Sequence, residues 1–208
     1  MRIDWYFDFI SPFAFLQWPA ICTLAPAHEV VPRPLLLAAL LDQHGHKGPA
    51  EIPAKRRFTY RHVQFQAERM GVPLRFPPAH PFNPLAALRL CIAAGQTAQA
   101  VSAIFDWIWI EGRTADSVDA LRPLAARLGI ADPDAALADP VVKQTLRSNG
   151  EAALAAGIFG VPTAVVAGEL FWGLDATPML DVFLADPELF RRGEMARLDC
   201  LPAAATRG

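Results

Sequence analysis

At 208 residues, with 53% hydrophobic and 19% charged side chains, the chain has the balance of a globular protein and ample length to bury a core, which excludes disorder. A formal charge of -2 without a basic stripe argues against nucleic acid as the main partner, and no apolar run approaches the roughly 20 residues of a membrane span. The chain begins at once on a polar-alternating strand, so neither a signal peptide nor an anchor is expected and the expected location is the cytoplasm.

From Ile3 to Phe9, Ile3, Trp5, Phe7 and Phe9 alternate with Asp4, Tyr6 and Asp8, the period-2 signature of a strand. Ser11-Pro12 then reads as a helix entry: the serine oxygen caps free amides, and proline loses nothing at the first helical position. A helix from Pro12 to Ala25 follows, apolar almost all round and interrupted by Pro19. His28 to Leu37 reads as a second strand, parallel to the first, which Pro32 and Pro34 demote to a sheet edge. Ala38 to Lys55, with its polar centre Gln43-His44-Gly45-His46-Lys47-Gly48-Pro49-Ala50, is expected to be a loop.

Only helical patterns occupy the middle of the chain: Lys55–Met70, Asn83–Ala94, Thr97–Glu111, Asp116–Leu128 and Asp139–Ala156. Start pairs recur as Asn83-Pro84, Asp132-Pro133, Asp139-Pro140 and Asp186-Pro187, and glycine closes the segments at Gly71, Gly95, Gly129 and Gly157. Strand signals return at Thr163–Ala167 and Leu170–Trp172, expected to form a hairpin about Gly168-Glu169, and a last helix runs from about Thr177 to Leu184. Without its helical middle the order is strand, helix, strand, helix, strand, strand, helix. That order predicts an α/β protein: a discontinuous thioredoxin-like domain, residues 1–38 and 157–208, with an all-helical insertion at 39–156.

Cys22, Cys91 and Cys200 are scattered, odd in number and without a C-x-x-C, so neither a disulfide framework nor a zinc site is suggested. His44 and His46 stand two apart without further ligands, and no metal is expected.

The motifs then carry a resemblance. Gly160-Val161-Pro162-Thr163 looks like the cis-proline loop of thioredoxin-like folds, and Ser11-Pro12-Phe13-Ala14 fills the slot of a C-x-x-C. With serine and alanine for the two thiols, disulfide exchange is ruled out. Asp8-Phe9-Ile10-Ser11-Pro12-Phe13-Ala14, His46-Lys47-Gly48-Pro49, Pro53-Ala54-Lys55, His80-Pro81-Phe82-Asn83-Pro84 and Phe171-Trp172-Gly173-Leu174-Asp175 resemble, in order, the kappa class of glutathione transferases. Within it the 2-hydroxychromene-2-carboxylate isomerases are most similar, and the similarity covers nearly the whole chain.

The resemblance implies a DsbA/kappa-type fold, glutathione as cofactor, a small aromatic carboxylate as substrate, and a homodimer without nucleic-acid or membrane partners. The implied reaction interconverts 2-hydroxychromene-2-carboxylate and trans-o-hydroxybenzylidenepyruvate in aromatic hydrocarbon breakdown. Alternatives are a kappa-like transferase or peroxidase and a non-catalytic thiol-peptide binder. By the same resemblance Ser11 contacts the glutathione sulfur, Val161 with Pro162 the cysteinyl backbone, Lys55 the glycyl end and Asp175 the γ-glutamyl amine. His46 stands where the family often has asparagine, and Leu174-Asp175-Ala176 where it often has Ser-Asp-Arg or Asn-Asp-Arg. Read from the residues alone, Lys55 is more often a solvated helix start than a ligand contact, whereas Asp175 and Asn83 are equally helix caps.

Overall fold

The computed structural model describes residues 1–202; residues 203–208, the tail of the second expected thioredoxin-like segment, lie outside the described residues. Strand β1 (Arg2–Phe7) ends two residues earlier than the alternation suggests. Ile3, Trp5 and Phe7 are fully buried on one face and Tyr6 is buried on the other. Burial on both faces suits an inner strand, and the sheet order is β2-β1-β3-β4. Helix α1 (Pro12–Leu24) leads to β2 (Glu29–Pro34), which lies parallel to β1 at the sheet edge, with Pro32 opposite Trp5 and Pro34 opposite Phe7. There the missing amides cost no ladder bond on the outer side, and Asn149 Nδ2 donates to the Pro34 carbonyl (3.0 Å).

Strand β3 (Thr163–Val166) runs antiparallel to β1 with Thr163 opposite Tyr6, and β4 (Glu169–Trp172) runs antiparallel to β3. The hairpin turn is Ala167-Gly168, one residue earlier than the sequence suggests, with φ of +52° and +90°. Two left-handed residues match the twist of the flanking strands, and alanine accepts that conformation because Val166 and Glu169 still pair across it.

The expected loop from Ala38 to Lys55 opens instead as helix α2 (Leu37–Gln43), which buries Leu40. Helices α3 (Pro53–Met70), α4 (Leu85–Ala93), α5 (Ala98–Phe105), α6 (Val118–Arg127), α7 (Pro133–Ala138) and α8 (Pro140–Ala155) follow, with no strand among them. Thr97, Ser117, Asp132 and Asp139 cap α5 to α8 with side-chain oxygens, and Gly71, Gly95, Gly129 and Gly157 close their helices at φ of +66° to +80°. Beyond α5 the chain widens into a π-helical turn, Asp106–Ile110. Helix α9 (Thr177–Ala185) is not the last element. The Asp186-Pro187 start pair opens only a turn and a 3-10 turn, Leu189–Arg191, before the short α10 (Gly193–Leu198).

One apolar cluster joins Trp5, Phe7 and Phe9 of the sheet side to Phe105, Trp109, Leu88 and Leu121 of the helices. No helix among the described residues is long and apolar enough to cross a membrane.

Candidate active site

Ser11 lies where β1 gives way to α1, nearly buried at 7% exposure. Its amide donates to the Asp8 carbonyl (3.0 Å), and its Oγ accepts the Ala14 amide (3.3 Å). The cap uses an Oγ lone pair only. The hydroxyl proton remains available to an anion, at the positive end of a 13-residue helix.

The turn that delivers Ser11 is held from outside. Trp109 Nε1 donates to the Phe9 carbonyl and His80 Nε2 to the Ile10 carbonyl, both at 2.9 Å. Asp8 accepts the Ile10 amide at Oδ1 (3.0 Å) and the Leu37 amide of α2 at Oδ2 (2.8 Å). Burial pushes the Asp8 carboxyl up to about 7, against the two amide bonds that pull it down. Burial also lowers His80, favouring the neutral ring; Tyr60 Oη lies 2.6 Å from its Nδ1.

A second loop meets the same end of the sheet, since Thr163 pairs with Tyr6. The Val161–Pro162 peptide is cis, and Pro162 O accepts the Gly173 amide (2.8 Å). Buried Gln17 of α1 accepts from Trp5 Nε1 (2.8 Å) and donates to Gly173 O (2.9 Å) and Thr177 Oγ1 (3.1 Å). The Asp175 loop is thereby fastened both to the helix of Ser11 and to the cis-proline loop. Asp175 itself is exposed and caps nothing, because α9 starts without a side-chain cap. His44 Nε2 donates to Ile158 O (2.9 Å) and stacks on His46, which brings the exposed His46 toward the Val161 loop.

The bonds of Gln17, Gly173 and His44 thus join the segments that carry Ser11, Pro162 and Asp175, and place the segment of His46 against Ile158, three residues before Val161. Lys55, on the first turn of α3, is exposed and has no ion pair or hydrogen bond among the described residues. Asn83 Oδ1 accepts the Leu85 amide (3.0 Å) from just outside α4, whose N-cap is Pro84.

Asp8 and Gln17 escaped the sequence reading. Extending the strand to Phe9 puts Asp8 on its polar face, whereas β1 stops at Phe7 and Asp8 turns inward, fully buried. Gln17 had one available signal, a lone amide in an otherwise apolar helix. Chemically, the site offers a hydroxyl donor in a helix field at the same sheet end as a cis-proline loop, with serine and alanine rather than cysteine at positions 11 and 14.

The family model described as DSBA-like thioredoxin domain matches residues 2–185. The 2-hydroxychromene-2-carboxylate isomerase of Sphingobium xenophagum is 30% identical over 192 residues, 88% of this chain and 98% of that protein. The human glutathione S-transferase kappa 1 is 22% identical over 88% of this chain and 91% of its own length. Among solved structures, a 2-hydroxychromene-2-carboxylate isomerase superposes with a TM-score of 0.76 at 26% identity, covering 97% of this chain and all of the other.

Proposed function

The chain belongs to the family of DSBA-like thioredoxin domains, in the group that contains the 2-hydroxychromene-2-carboxylate isomerases, and from that premise we propose that it is a glutathione-dependent isomerase of conjugated aromatic keto acids. The pair on which we propose it acts is 2-hydroxychromene-2-carboxylate and trans-o-hydroxybenzylidenepyruvate. The observation that carries the reading is Ser11, a nearly buried hydroxyl whose proton is free at a helix N-terminus, at the same sheet end as the Val161–Pro162 loop. An ordinary thiol of pKa near 8.5 is mostly protonated at neutral pH, and such a donor favours its thiolate.

The thiolate lone pair forms a C–S bond at the benzylic carbon of the double bond conjugated to the ketone, and the displaced π pair moves onto the ketone oxygen as an enolate. The former double bond, now single, rotates. The enolate pair then returns, the C–S bond breaks, and thiolate leaves unchanged. In the cis isomer so formed the phenol oxygen adds to the ketone carbon as its proton passes to the ketone oxygen, which closes the hemiketal ring of 2-hydroxychromene-2-carboxylate; the reverse direction opens that ring first. This is covalent catalysis by a borrowed nucleophile. In this reading Val161 pairs with the cysteinyl backbone beside Pro162, Lys55 takes the glycyl carboxylate and Asp175 the γ-glutamyl ammonium, with His46 alongside. Segment 39–156 serves as the inserted helical domain that brings Lys55 to the thioredoxin-like part.

Free-thiol counting during turnover tests it. With glutathione well below substrate, the isomerase converts many substrate molecules at constant thiol. Loss of one thiol per product identifies a transferase instead, and glutathione binding without any conversion identifies a thiol-peptide binder.

A further inference from the structure

Two exposed aromatic groups flank the loops just described. One is Phe159 with Trp172, whose rings meet edge to face at 5.0 Å. The other is a row of three rings on the α1–α3 side. Phe13, two residues beyond Ser11, lies 5.9 Å from the His62 ring, and Phe58 lies 5.7 Å from the same ring. Phe58 is 69% exposed, an uncovered apolar surface that a planar ligand would remove from water.

Charge separates the two. Helix α3 carries Lys55, Arg56, Arg57, Arg61 and Arg69 against the single carboxylate Glu68, and none of the five cations forms a salt bridge among the described residues. This concentration stands out in a chain of net charge -2. Lys55, Phe58 and His62, three and four residues apart, share one face of α3. The Phe159–Trp172 pair instead has Asp175 three positions beyond Trp172, which repels an acid. Gln66 Nε2 donates to His62 Nε2 (3.0 Å), so the ring proton of neutral His62 belongs on Nδ1, a donor without a partner among the described residues.

We propose that Phe13, Phe58 and His62 seat the aromatic ring of the acceptor beside Ser11, with His62 Nδ1 donating to a ligand oxygen and the α3 cations other than Lys55 (Arg56 and Arg57 first among them) drawing in its carboxylate. This rests on the reading of Ser11 as holder of the glutathione sulfur, and it adds the residues that select the acceptor.

Steady-state kinetics of Phe58→Ala and His62→Ala, with 2-hydroxychromene-2-carboxylate and glutathione varied separately, test it. The expected result is a rise of about tenfold in KM for the aromatic acid, with half-saturating glutathione within about twofold of wild type. Phe58→Tyr, which keeps the ring, restores the wild-type KM. As competitive inhibitors, trans-cinnamate should bind severalfold more tightly than its methyl ester. Unchanged KM in Phe58→Ala and His62→Ala, or a large KM rise in Trp172→Ala alone, overturns the seat, and equal inhibition by acid and ester overturns the role of α3 charge. Failure of the underlying reading looks different: wild-type protein that needs no glutathione for conversion refutes that reading, whatever the variants do.

Discussion

Asp8→Asn isolates a buried carboxylate that no cation accompanies. Its folded pKa of about 7 lies above the ordinary value near 3.9, so the unfolded chain ionises first as pH rises. The sign follows: Asp8 contributes fully below the unfolded pKa, and that contribution is lost as pH climbs through the folded one. About 3 units at 1.36 kcal/mol each gives a loss of about 4 kcal/mol when complete, of which roughly 2 to 3 kcal/mol falls between pH 5 and pH 8. Asparagine has no such leg. It also turns one acceptor into an NH2 facing the Ile10 or Leu37 amide, a pH-independent cost of about 1 to 3 kcal/mol. Urea unfolding of both proteins across this range should therefore show Asp8→Asn gaining on wild type by roughly 2 to 3 kcal/mol toward pH 8, since other titrating groups cancel in the difference. Parallel stability curves from pH 5 to pH 8 would refute the reasoning.

Ser11→Ala should keep the fold, because only one cap bond is lost, while turnover at saturating substrates drops by about one to three orders of magnitude. Wild-type turnover with an unmoved pH profile would leave the serine a cap alone. Lys55→Ala and Asp175→Ala should each raise half-saturating glutathione, by about tenfold for every 1.4 kcal/mol lost, with near-normal rates at saturation; a glutathione titration at fixed aromatic substrate reads this directly. Gly160→Ala would place a Cβ 2.6 Å from Trp172 Nε1, so the indole must swing away at a cost of about 1 to 3 kcal/mol, seen as greater iodide quenching of the most exposed tryptophan.

Apart from α2, α7 and α10, the element order was legible in the sequence, as were the caps at Ser11, Asp132 and Asp139, the glycine stops and the edge position of β2, because each is set within a few residues by periodicity, capping oxygens, positive φ or a missing proline amide. The junction at Ser11 was legible for the same reason, and the Val161-Pro162 motif through its resemblance to the cis-proline loop of thioredoxin-like folds. What only the tertiary structure decided is how those parts are held. The bonds from Trp109 to Phe9, His80 to Ile10, Leu37 to Asp8 and Gln17 to Gly173 span 100, 70, 29 and 156 residues. Even the inward turn of Asp8 depends on where β1 stops, which the alternating pattern overshoots. A hydrogen bond between distant segments leaves no period in either, so the identity of its partners emerges only when packing brings the two together.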